Sequence, residues 1–246
     1  MRLALLLLLL WPLAAAADLA DLVVRIKPAV VAIGTLQQTR RPPARYLGTG
    51  FAVGDGRRIV TNAHVLPAEL DEARRETLTV FTGQGRKVQA RTARLVRRDG
   101  DHDLALLAIE GTPLPVLELA ADDTAREGES IAFTGFPLGM VLGLYPVTHT
   151  GIVSAITPIA IPARNSRELT ARQIRALRDP WKVLQLDATA YPGNSGSPVY
   201  RVSDGKVVGI LNSVLVKGTK ENVLRDPSAI SYAIPVRYLR ALLEQR

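Results

Sequence analysis

Short apolar runs, separated by turn-forming residues, recur along most of this chain. They are rich in Val, Ile, Leu and Thr, a composition typical of β-strands. The glycines and aspartates of 54–56 and 203–205 tolerate positive φ and predict two tight hairpins. The pattern favours an all-β fold of paired antiparallel barrels. The predicted strands are 22–36, 48–54, 58–63, 77–82, 88–97, 103–109, 129–134, 145–156, 183–188, 197–202, 206–216 and 230–234.

Helical patterns are confined to three segments of the chain. A short helix is predicted over 67–76, a polar one over 167–178 and a final one over 235–245, where Pro235 suits the first turn. Small and charged residues at 120–128 indicate a boundary between two units.

The N-terminal segment has the pattern of a secretory signal. Arg2 precedes an apolar run over 3–13, and small residues precede Asp18. This predicts a cleaved signal peptide over 1–17 and an exported protein, periplasmic or extracellular. A retained anchor is the alternative, but the run is shorter than the about 20 residues that a spanning helix needs. We therefore expect no permanent membrane span.

Composition narrows the choice of function further. The chain has 246 residues, 47% of them hydrophobic, so it can bury a core as one or two units. It has no cysteine, which excludes disulfides. The net charge of +8 falls to +7 without Arg2, but the basic residues are scattered in pairs without interleaved aromatic residues. This favours a solvated surface over nucleic-acid binding.

The stretch YPGNSGSP, residues 191–198, places Ser195 between Gly193 and Gly196. It is either a turn or a loop that presents a nucleophile. A serine hydroxyl attacks only when a base takes its proton and N–H groups stabilise the oxyanion. The function therefore depends on partners elsewhere in the chain.

Two residues qualify as such partners. His64 ends the strand-like run IVTNAH, whereas His102 and His149 lack such a setting. Asp103 begins an apolar strand, where a carboxylate is costly unless a group such as a histidine receives it. Each residue alone has a structural explanation, as turn former, satisfied histidine or strand cap. Together, Ser195, His64 and Asp103 indicate a catalytic triad.

Several segments in order resemble the peptidase domain of HtrA/Deg-type proteases, which are trypsin-like (chymotrypsin-fold) serine peptidases. They include RRIVTNAHVL, DHDLALLAI, GESIAFTGFPLG, LQLDATAYPGNSGSPVY and GKVVGILNSV. The resemblance runs from about residue 22 to 243. It implies two six-stranded antiparallel barrels, about 22–119 and about 125–236, with the active site between them and a short C-terminal helix over 235–245.

The resemblance also implies a role for each site residue. Ser195 is the nucleophile, His64 the general base and Asp103 the carboxylate that orients it. The N–H groups of Gly193 and Ser195 form the oxyanion hole, and Asn212 supports Asp103. No metal or cofactor is needed. The walls of the specificity pocket are uncharged, which favours small to medium aliphatic residues before the cleaved bond: Thr189, Ala190, Tyr191, Ser213, Val214 and Leu215.

Some features depart from the family pattern. Ser197 stands where a second glycine is usual, and the basic connection 157–182 is longer than usual. The chain ends at Arg246 without residues that match a PDZ domain. Asn194 carries no charge to pair with a newly cut N-terminus, so we expect no zymogen activation of that kind. Control of activity is expected instead in the loops 136–146 and 157–182.

The sequence thus predicts a secreted or periplasmic serine endopeptidase that acts on unfolded or misfolded polypeptides, with a quality-control role suggested by analogy alone. Whether it forms a homo-oligomer stays open. The alternative is a peptide-binding or chaperone-like module on the same fold with little turnover.

Overall fold

Twelve β-strands and two α-helices make up the regular structure of the described residues. The computed structural model describes residues 18–121, 125–137, 143–159, 180–212 and 230–245. The helices are α1 (Leu19–Ile26) and α2 (Val236–Glu244). The strands are β1 (Val30–Leu36), β2 (Ala44–Val53), β3 (Arg58–Asn62), β4 (Thr77–Thr82), β5 (Gln89–Asp99), β6 (Leu104–Ile109), β7 (Ser130–Gly135), β8 (Val147–Pro158), β9 (Lys182–Asp187), β10 (Pro198–Arg201), β11 (Val207–Asn212) and β12 (Ile230–Pro235).

The strands form two closed antiparallel barrels of six strands each. The first barrel has the order β1-β2-β3-β6-β5-β4, and the second has the order β10-β11-β12-β9-β8-β7. Pairing of β4 with β1 closes the first barrel, and pairing of β10 with β7 closes the second. The all-β prediction is confirmed, as are both hairpins, since β2 pairs with β3 and β10 with β11.

Alternation along the strands divides the buried residues between barrel interiors and the space between the barrels. On β6, Ala105 and Leu107 join the core of the first barrel, whereas Leu104 and Leu106 join a cluster shared with the second barrel and α1. Period-two side chains therefore bury both faces of this strand. This explains why LALLAI is apolar at every position. The two barrels consequently pack through a continuous apolar layer.

The first predicted strand, 22–36, is wrong in its N-terminal part, because α1 occupies Leu19–Ile26. Asp18 caps this helix by accepting a hydrogen bond from the Ala20 N–H at 3.1 Å. Leu22 and Ile26, four residues apart, are buried, while Val24 is 71% exposed. The apolar residues thus follow helical spacing, although their β-branched members resemble a strand.

The predicted helix over 67–76 is also wrong. Only a 3₁₀ turn over Glu72–Arg74 forms there, and Arg75 ends it in the left-handed region with φ 55°. The Glu76 carboxylate instead accepts hydrogen bonds from Thr35, on β1, and from Arg40, in the loop after β1. These long-range contacts favour an irregular segment over a helix.

The C-terminal helix is confirmed as α2, which packs Leu239 and Leu242 into the layer between the barrels. The helix predicted over 167–178 lies outside the described residues. None of the described helices is long and apolar enough to cross a membrane.

Candidate active site

His64 lies in a 3₁₀ turn, Ala63–Val65, that directly follows β3. Its ring Nδ1 is 2.5 Å from Asp103 Oδ2, and its backbone N–H donates to Asp103 Oδ1 at 2.8 Å. A carboxylate on Nδ1 favours the tautomer that leaves Nε2 as the proton acceptor. The two side chains remain 29% and 26% exposed, so the pair lies at an accessible surface.

Asp103 precedes β6 and has a left-handed backbone with φ 55°, which is uncommon for a residue other than glycine. Its carbonyl accepts hydrogen bonds from the Ala63 N–H at 3.0 Å and from Asn62 Nδ2 at 3.1 Å. The end of β3 therefore holds the backbone of Asp103 beside His64. Three N–H groups reach its carboxylate, counting the one from Asn212 described next.

Asn212 connects this pair to the second barrel. It is the last residue of β11, is 3% exposed, and donates from Nδ2 to Asp103 Oδ2 at 2.7 Å. Asp103 Oδ2 thus receives hydrogen bonds from both barrels. The structure brings together His64, Asp103 and Asn212, as the sequence predicts.

The loop that carries Ser195 lies against β2 of the first barrel. The Thr49 N–H donates to the Ser195 carbonyl at 2.9 Å, and Thr49 Oγ1 donates to the Gly193 carbonyl at 2.7 Å. Gly193 and Gly196 have φ of 96° and 89°, a conformation that favours glycine. The first barrel therefore holds this loop on one side of Ser195.

Gly48 marks how closely the His64 turn and the Ser195 loop approach each other. A Cβ at Gly48 would lie 2.7 Å from a methyl carbon of Val65 and 3.0 Å from the Ser195 carbonyl oxygen. Any side chain there would push apart the two segments that carry His64 and Ser195. Gly48 and Thr49 were not among the sequence-predicted site residues.

Residues 48–210 match the family model of the trypsin-like peptidase domain. The match covers more than half of the chain and contains His64, Asp103 and Ser195. The chain belongs to the trypsin-like peptidase family. Among the described residues of this family member, no group of three or more histidine, aspartate or glutamate side chains could hold a metal ion.

Proteins similar in sequence to this peptidase-family chain are HtrA-type proteases. Serine protease HTRA1A of Danio rerio is 32% identical over 231 residues, which are 92% of this chain and 41% of that protein. Serine protease HTRA4 of Mus musculus is 33% identical over 235 residues, 92% of this chain and 40% of that protein. A DegP-like periplasmic serine endoprotease of Halomonas elongata is 30% identical over 192 residues, 78% and 33% of the respective chains. The chain spans less than half the length of these curated relatives.

Solved protease structures also resemble it. The serine endoprotease from Yersinia pestis has a TM-score of 0.63 at 26% identity and aligns with 92% of this chain and 65% of its own. The HtrA-type protease AlgW, solved with a tripeptide, has a TM-score of 0.65 at 25% identity and covers 92% and 62%. The HtrA/Deg-type resemblance is therefore confirmed.

Two buried polar side chains flank Ser195 in this loop. Asn194 and Ser197 are fully buried, and within the described part of the chain their side chains have no hydrogen-bond partner. A Cβ at Gly135 would overlap Ser197 Oγ and approach Asn194 Oδ1. Ser197, the departure from the family pattern, thus fills space against Gly135 and leaves the Ser197 N–H bonded to the Asn194 carbonyl at 3.0 Å.

The predicted specificity wall is only partly described. Ala190 is buried and Thr189 and Tyr191 are half-buried, whereas Ser213, Val214 and Leu215 lie outside the described residues. His149, which had no role at the sequence level, stacks on Phe133 at 4.9 Å and tilts toward the Tyr191 ring at 5.7 Å. Burial lowers the pKa of His149, which favours its neutral form behind this wall. The residues around His149 in the sequence do not predict its contact with Phe133, which arises from the pairing of β7 with β8.

Proposed function

We propose that this chain is a serine endopeptidase that cleaves polypeptides through Ser195, His64 and Asp103. The observation that carries the proposal is the double attachment of Asp103, whose Oδ2 binds His64 Nδ1 and the Asn212 amide across the two barrels. A carboxylate used only as a strand cap has no need of an imidazole from one barrel and an amide from the other. The Ser195 loop is held against β2, another strand of the first barrel.

In the proposed reaction, His64 Nε2 takes the Ser195 hydroxyl proton as Oγ attacks the carbonyl carbon of the substrate. The tetrahedral intermediate collapses to an acyl-enzyme when His64 returns that proton to the leaving amine. Water then attacks the ester by the same route in reverse, which releases the acid and restores Ser195. Asp103 stays ionised throughout and stabilises the imidazolium. No cofactor takes part.

The N–H groups of Gly193 and Ser195 are proposed to stabilise the oxyanion. Support comes from the loop geometry: the Gly193 carbonyl is held by Thr49 Oγ1, which fixes the orientation of the neighbouring peptide. Each lost oxyanion donor typically costs on the order of 3 kcal/mol of transition-state stabilisation.

The substrate preference follows from the uncharged wall. Thr189, Ala190 and Tyr191, with Ser213, Val214 and Leu215, offer no acid to pair with a buried Lys or Arg. We therefore expect cleavage after small to medium aliphatic residues, with broad selectivity, because each methylene is worth only about 1–3 kcal/mol. Mass spectrometry of the peptides cut from a denatured proteome checks this. A dominant Lys or Arg before the cut would refute the pocket assignment.

We further propose that the protein is exported through its signal, over 1–17, and acts on unfolded or misfolded polypeptides in the periplasm or outside the cell. The similarity to a periplasmic DegP-like endoprotease supports this setting. Within the 18–246 peptidase domain, no role in nucleic-acid binding is proposed. A quality-control role and a homo-oligomeric state belong to the same hypothesis.

Hydrolysis of casein by the full chain and by Ser195→Ala tests the proposal. The variant should lose activity by on the order of 10⁴-fold or more, because only binding and oxyanion contacts remain. Ser203→Ala, on an exposed turn, is the matched control and should cleave as fast as the original enzyme. Casein cleavage by folded Ser195→Ala at the original rate would refute the triad. Binding of casein without turnover by the unsubstituted enzyme would favour the chaperone-like alternative.

A further inference from the structure

A second histidine–carboxylate pair immediately precedes Asp103 in the turn between β5 and β6. His102 Nδ1 is 2.6 Å from Asp99 Oδ2. Asp99 Oδ1 accepts hydrogen bonds from the backbone N–H groups of Asp101 and His102, at 2.9 and 3.0 Å. Burial raises the pKa of Asp99, but the hydrogen bonds from the ring and backbone of His102 outweigh it and hold that pKa below its ordinary value. Asp99 is therefore ionised and caps the turn.

The His102 ring also makes contacts that a turn cap does not need. It stacks on Tyr238 of α2 with ring centroids 4.1 Å apart and planes 20° apart. Trp181, just before β9, packs edge-on against both rings at 5.2 and 5.3 Å. The Arg237 guanidinium lies 4.7 Å from the centre of the Tyr238 ring and donates to its hydroxyl. These residues, His102, Trp181 and Tyr238, are called the aromatic clamp below.

A second link joins the end of β5, the strand that leads into this turn, to α2. Arg97 Nη1 donates to the carbonyls of Leu242 and Leu243, at 3.2 and 3.3 Å, near the end of the helix. A cation there also interacts favourably with the helix dipole. The turn that carries Asp103 is thus attached to the C-terminal helix at two points.

This attachment bears on the position of the Asp103 carboxylate. The left-handed φ of 55° at Asp103 is uncommon for a residue other than glycine, although aspartate adopts it more readily than most. If the turn relaxed, the carboxylate would shift relative to His64 Nδ1 and the Asn212 amide. Misplacement of a catalytic group by about 1 Å can slow a reaction by on the order of 100-fold.

We propose that His102 is a positioning residue, which holds Asp103 in register with His64 by clamping the β5–β6 turn onto Tyr238 and Trp181. This inference rests on the proposed function, since it assigns His102 to the reaction that Asp103 serves. Asp99 Oδ1 alone suffices to cap the turn. The added function of the ring is to couple the turn to α2.

The kinetic test uses His102→Ala, Tyr238→Leu and the double variant of the full chain. Each single variant should lower kcat by roughly tenfold with little change in KM, because substrate contacts are untouched. The double variant should lose scarcely more than either single one, since both break the same clamp. Tyr238→Phe keeps the ring and should restore nearly full kcat.

Tyr46→Leu is the matched control. It removes a ring contact of the same kind, with Phe81 at 4.7 Å, but between β2 and β4 of the first barrel. It should lower thermal stability and leave kcat within about twofold of the original value. An equal loss of kcat in this variant would show that the clamp acts only through general stability.

A proton NMR readout tests the clamp without relying on turnover. The proton between His64 Nδ1 and Asp103 Oδ2 is in a short hydrogen bond and should resonate far downfield of the amides. His64→Ala identifies this signal, since the His102–Asp99 pair gives one of its own. Loss or broadening of the His64 signal in folded His102→Ala and Tyr238→Leu is the expected result.

An unchanged His64 signal in both folded variants, or an unchanged kcat, would overturn the positioning role. Additive losses in the double variant would do the same. These outcomes differ from failure of the proposed function, which would appear as an inactive unsubstituted enzyme or an active Ser195→Ala. In that case the NMR comparison still decides whether the clamp orders the His64–Asp103 pair.

Discussion

The two histidine–carboxylate pairs of this protein look alike when each is considered alone. The Nδ1–Oδ2 distance is 2.5 Å for His64 and Asp103 and 2.6 Å for His102 and Asp99. Side-chain exposure is 29% and 26% in the first pair and 25% and 19% in the second. Neither the hydrogen bond nor its accessibility distinguishes a proposed catalytic base from a structural histidine.

The surroundings of the two pairs differ. His102 and Asp99 are three residues apart in one turn, and aromatic rings from α2 and from the residue before β9 cover the imidazole. His64 and Asp103 are brought together from separate segments of the first barrel, and Asn212 fixes the carboxylate from the second. A histidine–carboxylate bond thus indicates catalysis only when a third group and a nucleophile loop converge on it.

The largest contrast between the pairs is expected from their carboxylates. Asp103→Asn should reduce kcat by on the order of 10⁴-fold, because an amide facing Nδ1 favours the wrong imidazole tautomer. Asp99→Asn keeps an oxygen for the two backbone N–H groups and should cost less than about tenfold. Steady-state kinetics on both variants measures the ratio. Equal losses would remove the functional distinction between the pairs.

A smaller effect is expected at Asn212, the group that the second pair lacks. Asn212→Ala removes one of the two side-chain hydrogen bonds to Asp103 Oδ2, and kcat should fall roughly tenfold, with KM little changed. Kinetics at a temperature where circular dichroism shows the variant folded provides the measurement. If kcat stays at its original value, Asn212 has no part in orienting Asp103.

The smallest effect is expected at Glu76, a carboxylate that pairs with Arg40 and not with an imidazole, and it concerns stability. The pKa of Glu76 is lowered to about 2 by the Thr35 hydroxyl, then by the Asp71 N–H and by Arg40. Because this pKa is below the ordinary 4.5, ionised Glu76 stabilises the folded protein. That contribution is complete above pH 4.5 and is lost as the pH falls toward 2. Glu76→Gln should lower the free energy of unfolding by about 1–3 kcal/mol at pH 7 and by roughly half as much at pH 3.

Urea unfolding at both pH values measures this difference, with exposed Glu69→Gln as the matched control. A Glu76→Gln loss that is the same at pH 3 as at pH 7 would contradict the assigned ionisation. The kcat of this variant should be unchanged, since Glu76 belongs to neither histidine pair.

Local patterns predicted those parts of the fold that depend on local chemistry. Strand runs, both hairpins and α2 follow from period-two burial, turn residues and Pro235. The strand predicted over 22–36 was wrong at its start because Asp18 caps a helix there. The helix predicted over 67–76 was wrong because Glu76 bonds to Thr35 of a distant strand. The local settings of two residues pointed to His64 and Asp103, and the family resemblance pointed to Asn212. The structure places these three in contact.

The contacts that the sequence did not predict are between residues far apart along the chain. His102 carries no local signal for a contact with Tyr238, which lies far along the chain on α2. The importance of Gly48 and Thr49 depends on the packing of β2 against the Ser195 loop, which is distant in sequence. His149 lies on Phe133 because β7 pairs with β8.

Labelling with a fluorophosphonate, located by mass spectrometry, tests most directly the claim that His64 and not His102 activates Ser195. The expected result is modification of Ser195 in the unsubstituted enzyme, a loss of rate by on the order of 10⁴-fold in His64→Ala, and only a modest loss in His102→Ala. Modification of another residue, or labelling of His64→Ala at the original rate, would contradict the account.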